Sequence, residues 1–301
     1  MDEEPHAGVG EGSPAAVRRS CDVTVVMPAM NRAHMIGRAL DSVAAQTLTP
    51  REVIVVDDAS TDDTVAVARA HGATVIELPV NGGSGPARNR GIEAARTRWI
   101  AFLDSDDAWL PDHLERTLAR AEGYVLVAGP GSSSGGRQLG NVWRRDLELN
   151  AVDLFAPGDL VCTSGTIVTK EALLAGGLFR PLRRAQDLDM WVRVLQHGRG
   201  LALAEPTFRY FLHDQQAIND TDLMRRCYEQ IVADCTEQPW FSRHDADRAM
   251  VKWHWDDLRA AQRTGDRGEV VRNARWFAAR PHVWRSLAKV LQGRRLSRSL
   301  G

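Results

Sequence analysis

Lysine is nearly absent from this chain of 301 residues: Lys170, Lys252 and Lys289 are the whole set, and every other basic residue is arginine. The 38 basic residues face 39 acidic ones, a formal net charge of -1, so no global field draws the chain to nucleic acid. Cysteine is scarce too. Cys21, Cys162, Cys227 and Cys235 lie far apart with no CxxC pair, which excludes a zinc ribbon or disulfide scaffold and suggests free thiols in a reducing compartment. No apolar run approaches the roughly 18 residues of a spanning helix. Met1 to Ser20 lacks the apolar centre of a secretory leader, so the expectation is cytoplasmic. Gly82-Gly83-Ser84-Gly85 has neither the lysine of a P-loop nor GxGxxG spacing, and no Ser-His-Asp arrangement is legible. ATPase, dinucleotide and covalent-hydrolase chemistry are therefore not supported.

What the sequence does contain is alternation of short apolar runs with helical patterns. Val23 to Met27, Val53 to Val56, Ala73 to Leu78 and Trp99 to Leu103 read as buried strands. Between them lie helical patterns from Asn31 to Gln46, Thr64 to His71 and Pro86 to Arg96. That order predicts an α/β fold, a mostly parallel sheet flanked by helices. The pattern then weakens. The glycine- and serine-rich stretch Gly129 to Gly140 reads as a loop, Val161 to Thr169 as strand, Asp187 to His197 as an amphipathic helix, and everything from Thr221 onward as helical.

Ligands of parallel sheets bind outside the carboxyl ends of the strands. Three of these ends are polar: Pro28 to Asn31, Asp57-Asp58, and Asp104 to Asp107. Asp104-Ser105-Asp106 is a DxD, placed to hold a divalent cation whose other ligands are phosphate and water. Asp58 is a candidate acceptor for hydrogen bonds from a base or ribose. Arg88, on the helix after the glycine-rich turn, is a candidate partner for a phosphate. Asp107 reads as a turn cap.

The segments VVMPAMNR (25–32), VIVVDDASTDDT (53–64), NGGSGPARNRG (81–91) and IAFLDSDD (100–107), in this order, resemble the family 2 glycosyltransferases of GT-A fold. The resemblance covers Val23 to His213. It implies a nucleotide-sugar-binding half over 22–128 and an acceptor-binding half over 129–215 of one GT-A domain, with a disordered segment over 1–21 and a helical extension over 216–301. It implies that Pro28, Ala29 and Asn31 line the nucleobase, that Asp58 contacts it, that Asp104 lies on the ribose side, and that Asp106 holds magnesium or manganese. The chain departs from the family at Ala29-Met30, where Thr-Tyr is more common, and at Gln186, where glutamate is. By the same resemblance Asp187, in Ala185 to Trp191, is the general base of an inverting transfer, and His213 assists the metal or diphosphate. A carboxylate at a helix N-terminus stays ionised, as a base for a sugar hydroxyl must. Asp189 is the next candidate on that helix. The implied partners are a nucleotide diphosphate sugar and an acceptor hydroxyl on a saccharide, a lipid-linked molecule or a small molecule.

From Val270 to Gly301 basic residues occur without an acidic one, interleaved with Trp276, Phe277 and Trp284. Such a tail either packs on the catalytic domain or lies peripherally on an anionic membrane.

Overall fold

The computed structural model describes residues 19–133, 145–155, 161–211 and 221–288. Residues 1–18 of the segment expected to be disordered, His213 and the last thirteen residues of the tail lie outside them, whereas Arg19 to Cys21, placed in that segment, open the first strand. In chain order the elements are β1 (Arg19–Ala29), α1 (Ile36–Ala44), β2 (Leu48–Asp57), α2 (Thr64–Ala70), β3 (Thr74–Glu77), α3 (Ser84–Ala94), β4 (Trp99–Phe102), β5 (Ala108–Trp109), α4 (His113–Leu118) and β6 (Leu126–Ala128). There follow β7 (Gly131–Ser133), β8 (Leu147–Leu149), β9 (Thr166–Thr169), α5 (Lys170–Ala175), α6 (Gln186–Val194), β10 (Gly200–Ala202), β11 (Phe208–Tyr210), α7 (Thr221–Thr236), α8 (Arg243–Thr264) and α9 (Arg267–Ala278).

Eight strands form one sheet in the order β3-β2-β1-β4-β9-β6-β10-β8, and β5-β11-β7 form a small second sheet. The run β3 to β4 is parallel throughout. β9 enters antiparallel between β4 and β6. β8 closes the far edge, also antiparallel. Successive residues of a strand point to opposite faces, and β1 shows it: Val26 joins Ile54, Phe102 and Trp191 in one core, while Val25 and Met27 join Ile36, Leu40 and Leu114 in the other. α3 lies so close to the sheet that a Cβ on Gly91 would sit 2.4 Å from Cγ1 of Val26.

The helix read from Asn31 begins only at Ile36, and the strand read over Val161 to Thr169 is a 3-10 turn at Thr163–Gly165 followed by β9; two further differences bear on the strand ends. Pro28 does not stop the first strand: Pro28 and Ala29 continue in register opposite Val56 and Asp57, because a proline removes only its own ladder donor. The glycine-rich stretch begins not as loop but as β7, which pairs with β11.

The helical C-terminal region has two kinds of packing. Ile231, Val232 and Cys235 of α7 belong to the same core as Met190 and Trp191 of α6. Val251, Phe277, Val283 and Leu287 form a separate small cluster. Two arginines in the described part of the tail are engaged in ion pairs. Arg272 pairs with Glu269 at 2.9 Å and Arg280 with Asp247 at 2.6 Å, and Trp276 stacks on His254. Trp284 stays 52% exposed.

Candidate active site

The loops after β1, β2 and β3 are stitched to one another. Asn31 sits in the left-handed region at φ 53°, which asparagine tolerates better than most residues. It does not cap α1, which begins five residues later. Its amide donates to Ser60 Oγ at 2.9 Å, and its Oδ1 accepts from the Thr61 amide at 2.8 Å. Pro28 and Ala29 are buried, so the group they leave at the surface is the neighbouring Met30, 41% exposed and contacted by Asn81 Nδ2. Asp58 is 3% exposed, and its two oxygens accept from the amides of Gly82 (2.8 Å) and Gly83 (2.7 Å). That carboxylate fixes the glycine-rich turn, where Gly83 has φ 88°.

The DxD follows β4. Arg88, expected to meet a phosphate, pairs with Asp104 at 2.6 Å and is itself buried, with its Nε bonded to nothing among the described residues. Asp107, read from sequence as a turn cap, is instead a buried anchor. Ser164 Oγ donates to its Oδ2 at 2.5 Å, and the Phe211 amide reaches its Oδ1 at 3.4 Å. Burial, followed by the charge of Asp104, pushes the Asp107 carboxyl up to about 8; the Ser164 hydrogen bond opposes this and Asp106 adds to it. Ser164 also accepts from the Asp104 amide at 3.2 Å, and its carbonyl accepts from Trp109 Nε1 at 2.6 Å. Ser164, which the sequence shows only within the strand read over Val161 to Thr169, is the peg beneath the acidic turn, and its partners 55 to 60 positions away leave no local signal. Arg38 of α1 completes the rim: it donates to the Asp106 carbonyl at 2.7 Å and lies over the Phe211 ring at 3.7 Å.

Asp187 lies in the first turn of α6, where the helix dipole favours its charge. The turn is entered through Ala185 at φ 54°, a costly conformation for a residue with a Cβ. Gln186 ties this helix to the start of α3: its Oε1 accepts from Ser84 Oγ at 3.2 Å across 102 residues of sequence. Asp189 is not a spare base. It is 2% exposed and gripped by Arg180 and Arg193. Trp191 is core, packed against Phe102 and Phe179.

Among the described residues no group of three or more His, Cys, Asp or Glu side chains is arranged as a ready metal cage. Magnesium needs no such cage, since it takes one or two carboxylates and fills its shell with phosphate and water. The Asp107 carboxyl is raised first by its burial and only then by the charges of Asp104 and Asp106; that pair, on the turn after β4, fits a divalent cation completed by phosphate and water. No described helix is long and apolar enough to cross a membrane.

Comparison with known proteins agrees with this architecture. The chain is 48% identical over 113 residues to the succinoglycan biosynthesis protein ExoO of Rhizobium meliloti, a match covering 36% of this chain and 32% of that protein. It is 30% identical over 191 residues to the putative teichuronic acid biosynthesis glycosyltransferase TuaG of Bacillus subtilis, covering 58% and 73%. The fold is that of S. aureus TarS 1-349, solved with UDP-GlcNAc (TM-score 0.65, 19% identity, covering 77% and 71%). It is also that of the Pyrobaculum calidifontis mannosyltransferase PcManGT, solved with GDP-Man and Mn2+ (TM-score 0.59, 17% identity, covering 90% and 87%). The family model for glycosyl transferase family 2 matches residues 24–170, and with TuaG matched over most of its length the chain belongs to that family.

Proposed function

We propose that the protein transfers one sugar from a nucleotide diphosphate sugar to an acceptor hydroxyl, with inversion. The observation that carries this reading is the joining of two groups of residues at one sheet edge. Asp58, Asp104 and Asp106 follow parallel strands, and α6, with Asp187, is tied to the start of α3 by Gln186 and Ser84. In this reading Asn31, the backbone around Pro28 and Ala29, and the turn held by Asp58 receive the nucleobase. Asp104, oriented by Arg88, faces the ribose, and Asp106 with His213 would hold magnesium or manganese. A bound cation of this kind neutralises charge on a leaving diphosphate. Asp187 takes the proton of the acceptor hydroxyl as the new glycosidic bond forms. PcManGT with its Mn2+ and TarS with its UDP-GlcNAc support the metal and the donor class.

The acceptor is a saccharide, a lipid-linked molecule or a small molecule. Peripheral contact with an anionic membrane through the tail belongs to the same reading. A panel of nucleotide sugars, screened with Mn2+ for release of nucleoside diphosphate, tests it. Release of pyrophosphate would instead mark a nucleotidyltransferase. Asp106→Ala, or chelator, is expected to remove most of the calorimetric affinity for nucleoside diphosphate. Equal affinity in all three conditions would refute the metal role.

A further inference from the structure

Asp189 is two residues beyond Asp187, in the same first turn of α6. A carboxylate at 2% exposure needs partners to offset its lost hydration, and two arginines provide them. Arg193 donates to it through Nη2 at 2.6 Å and at the same time donates to the Leu178 carbonyl at 2.7 Å. Arg180 donates side-on, with Nε at 3.1 Å and Nη2 on the other oxygen, the two-pronged geometry that fixes both partners in orientation. Arg180 has a third commitment: Nη1 donates at 2.7 Å to Oδ2 of Asp234, on α7. Asp234 is held in turn by Gln230 Nε2 at 2.7 Å. A continuous ionic chain thus runs from α7 through one guanidinium into the turn that bears Asp187.

From this geometry we infer that Asp234 is a positioning residue for Asp187: through Arg180 and Asp189, α7 sets where the first turn of α6 stands. The inference rests on the reading of Asp187 as general base. Asp234 acts through the guanidinium it holds. It holds Nη1 of Arg180, and with that bond gone the guanidinium is free to swing about Nε and loosen its side-on grip on Asp189. α7 would stay docked, because Ile231, Val232 and Cys235 are buried in the shared core independently of Asp234. Substitution at Asp234 therefore isolates the ionic coupling from the packing.

The test uses the full chain with Asp234→Ala and Asp234→Glu. Hydrogen exchange is expected to speed up about tenfold at the Asp189 amide, which donates to the Ala185 carbonyl across the first α6 turn, in Asp234→Ala, with β1 and α3 unchanged and with Asp234→Glu close to wild type. In steady-state release of nucleoside diphosphate, Asp234→Ala is expected to lower kcat by roughly ten- to a hundredfold, the scale of a small misplacement of a catalytic group. Donor KM should stay within about twofold, since that substitution leaves uniform binding intact, and Asp234→Glu should recover turnover. Unchanged α6 exchange would overturn the inference. So would acceleration spread over the whole sheet, a loss of kcat with an equal loss of donor affinity, or a glutamate variant no better than alanine. If the wild type releases nucleoside diphosphate from no donor, the transferase reading fails, while α6 exchange still decides whether α7 sets this turn.

Discussion

At the scale of single residues the proposed site separates into groups assigned to ligand and groups that hold those in place. Asp187→Asn keeps the shape of the first α6 turn but accepts no proton at neutral pH. We predict that nucleotide affinity stays near wild type by calorimetry while turnover falls by roughly 10²–10⁴. Asp189→Asn should behave differently, losing stability first, because two arginines then face a neutral buried amide. The acidic positions were legible because each stands at a strand end or a helix start. Their supports were not: Ser164, Arg38 and Asp234 act on residues distant in sequence, and local patterning carries no trace of such contacts. His113 makes a second residue-scale case. It is fully buried, stacked on Trp109, with neither ring nitrogen bonded among the described residues, and burial, with a smaller push from the Arg116 charge, lowers its pKa from 6.5 to about 3. It stays neutral in the folded chain while the unfolded chain protonates near 6.5. Its contribution is therefore complete above that pH and lost as pH falls toward 3. We predict that the drop in thermal midpoint from pH 7.5 to pH 5 is smaller in His113→Phe than in wild type. At pH 7.5 that substitution should cost less than about 1.5 kcal/mol.

Among the elements, the parallel strands β1 to β4 and their helices were readable from β-branched runs alternating with helical periodicity; the structure lengthens β1 and β2, trims β3, β4 and α1, and shifts α3 by two residues toward the N-terminus. The second half was harder, because its strands are three or four residues long and draw their partners from far along the chain. The turn Thr163–Gly165, just before β9, shows how tightly these short pieces fit. A Cβ on Gly165 would lie 2.1 Å from the Gly129 carbonyl oxygen and 2.9 Å from the Phe208 ring. Backbone cannot yield as a flexible side-chain tip can. Gly165→Ala should therefore cost about 1–3 kcal/mol in denaturant unfolding. By shifting Ser164 it should also weaken nucleoside diphosphate binding with Mn2+. Unaltered binding would mean that the Ser164 peg has no part in shaping the acidic turn.

For the whole molecule, the tail shows how a charge count changes once the chain is folded. The eight basic residues from Arg272 onward looked unopposed in sequence, yet Glu269 and Asp247 answer two of them, and Phe277 and Leu287 are buried. Removing residues 270–301 would cut α9 and strip the small cluster around Val251, so point substitution is the sounder probe. The intact chain is expected to co-sediment with anionic vesicles at low salt and less so at high salt. Trp284→Ser should weaken the attachment. Equal sedimentation of the two proteins would remove the exposed indole from the contact.

The antiparallel strand between β4 and β6 has a consequence for how the protein is made. Residues 166–169 fill the middle of the sheet, between strands that end at residue 102 and begin at residue 126. A chain emerging from the ribosome has therefore synthesised β1 to β4, with the loops between them, while the outer edge of β4 still lacks its neighbour. At roughly 5–20 residues per second, several seconds pass before β9 is available to seal that edge. The nascent intermediate thus exposes an apolar strand border over Trp99 to Phe102, open to pairing with a neighbouring chain, and a chaperone that shields it would act on this stage of synthesis rather than on the finished enzyme.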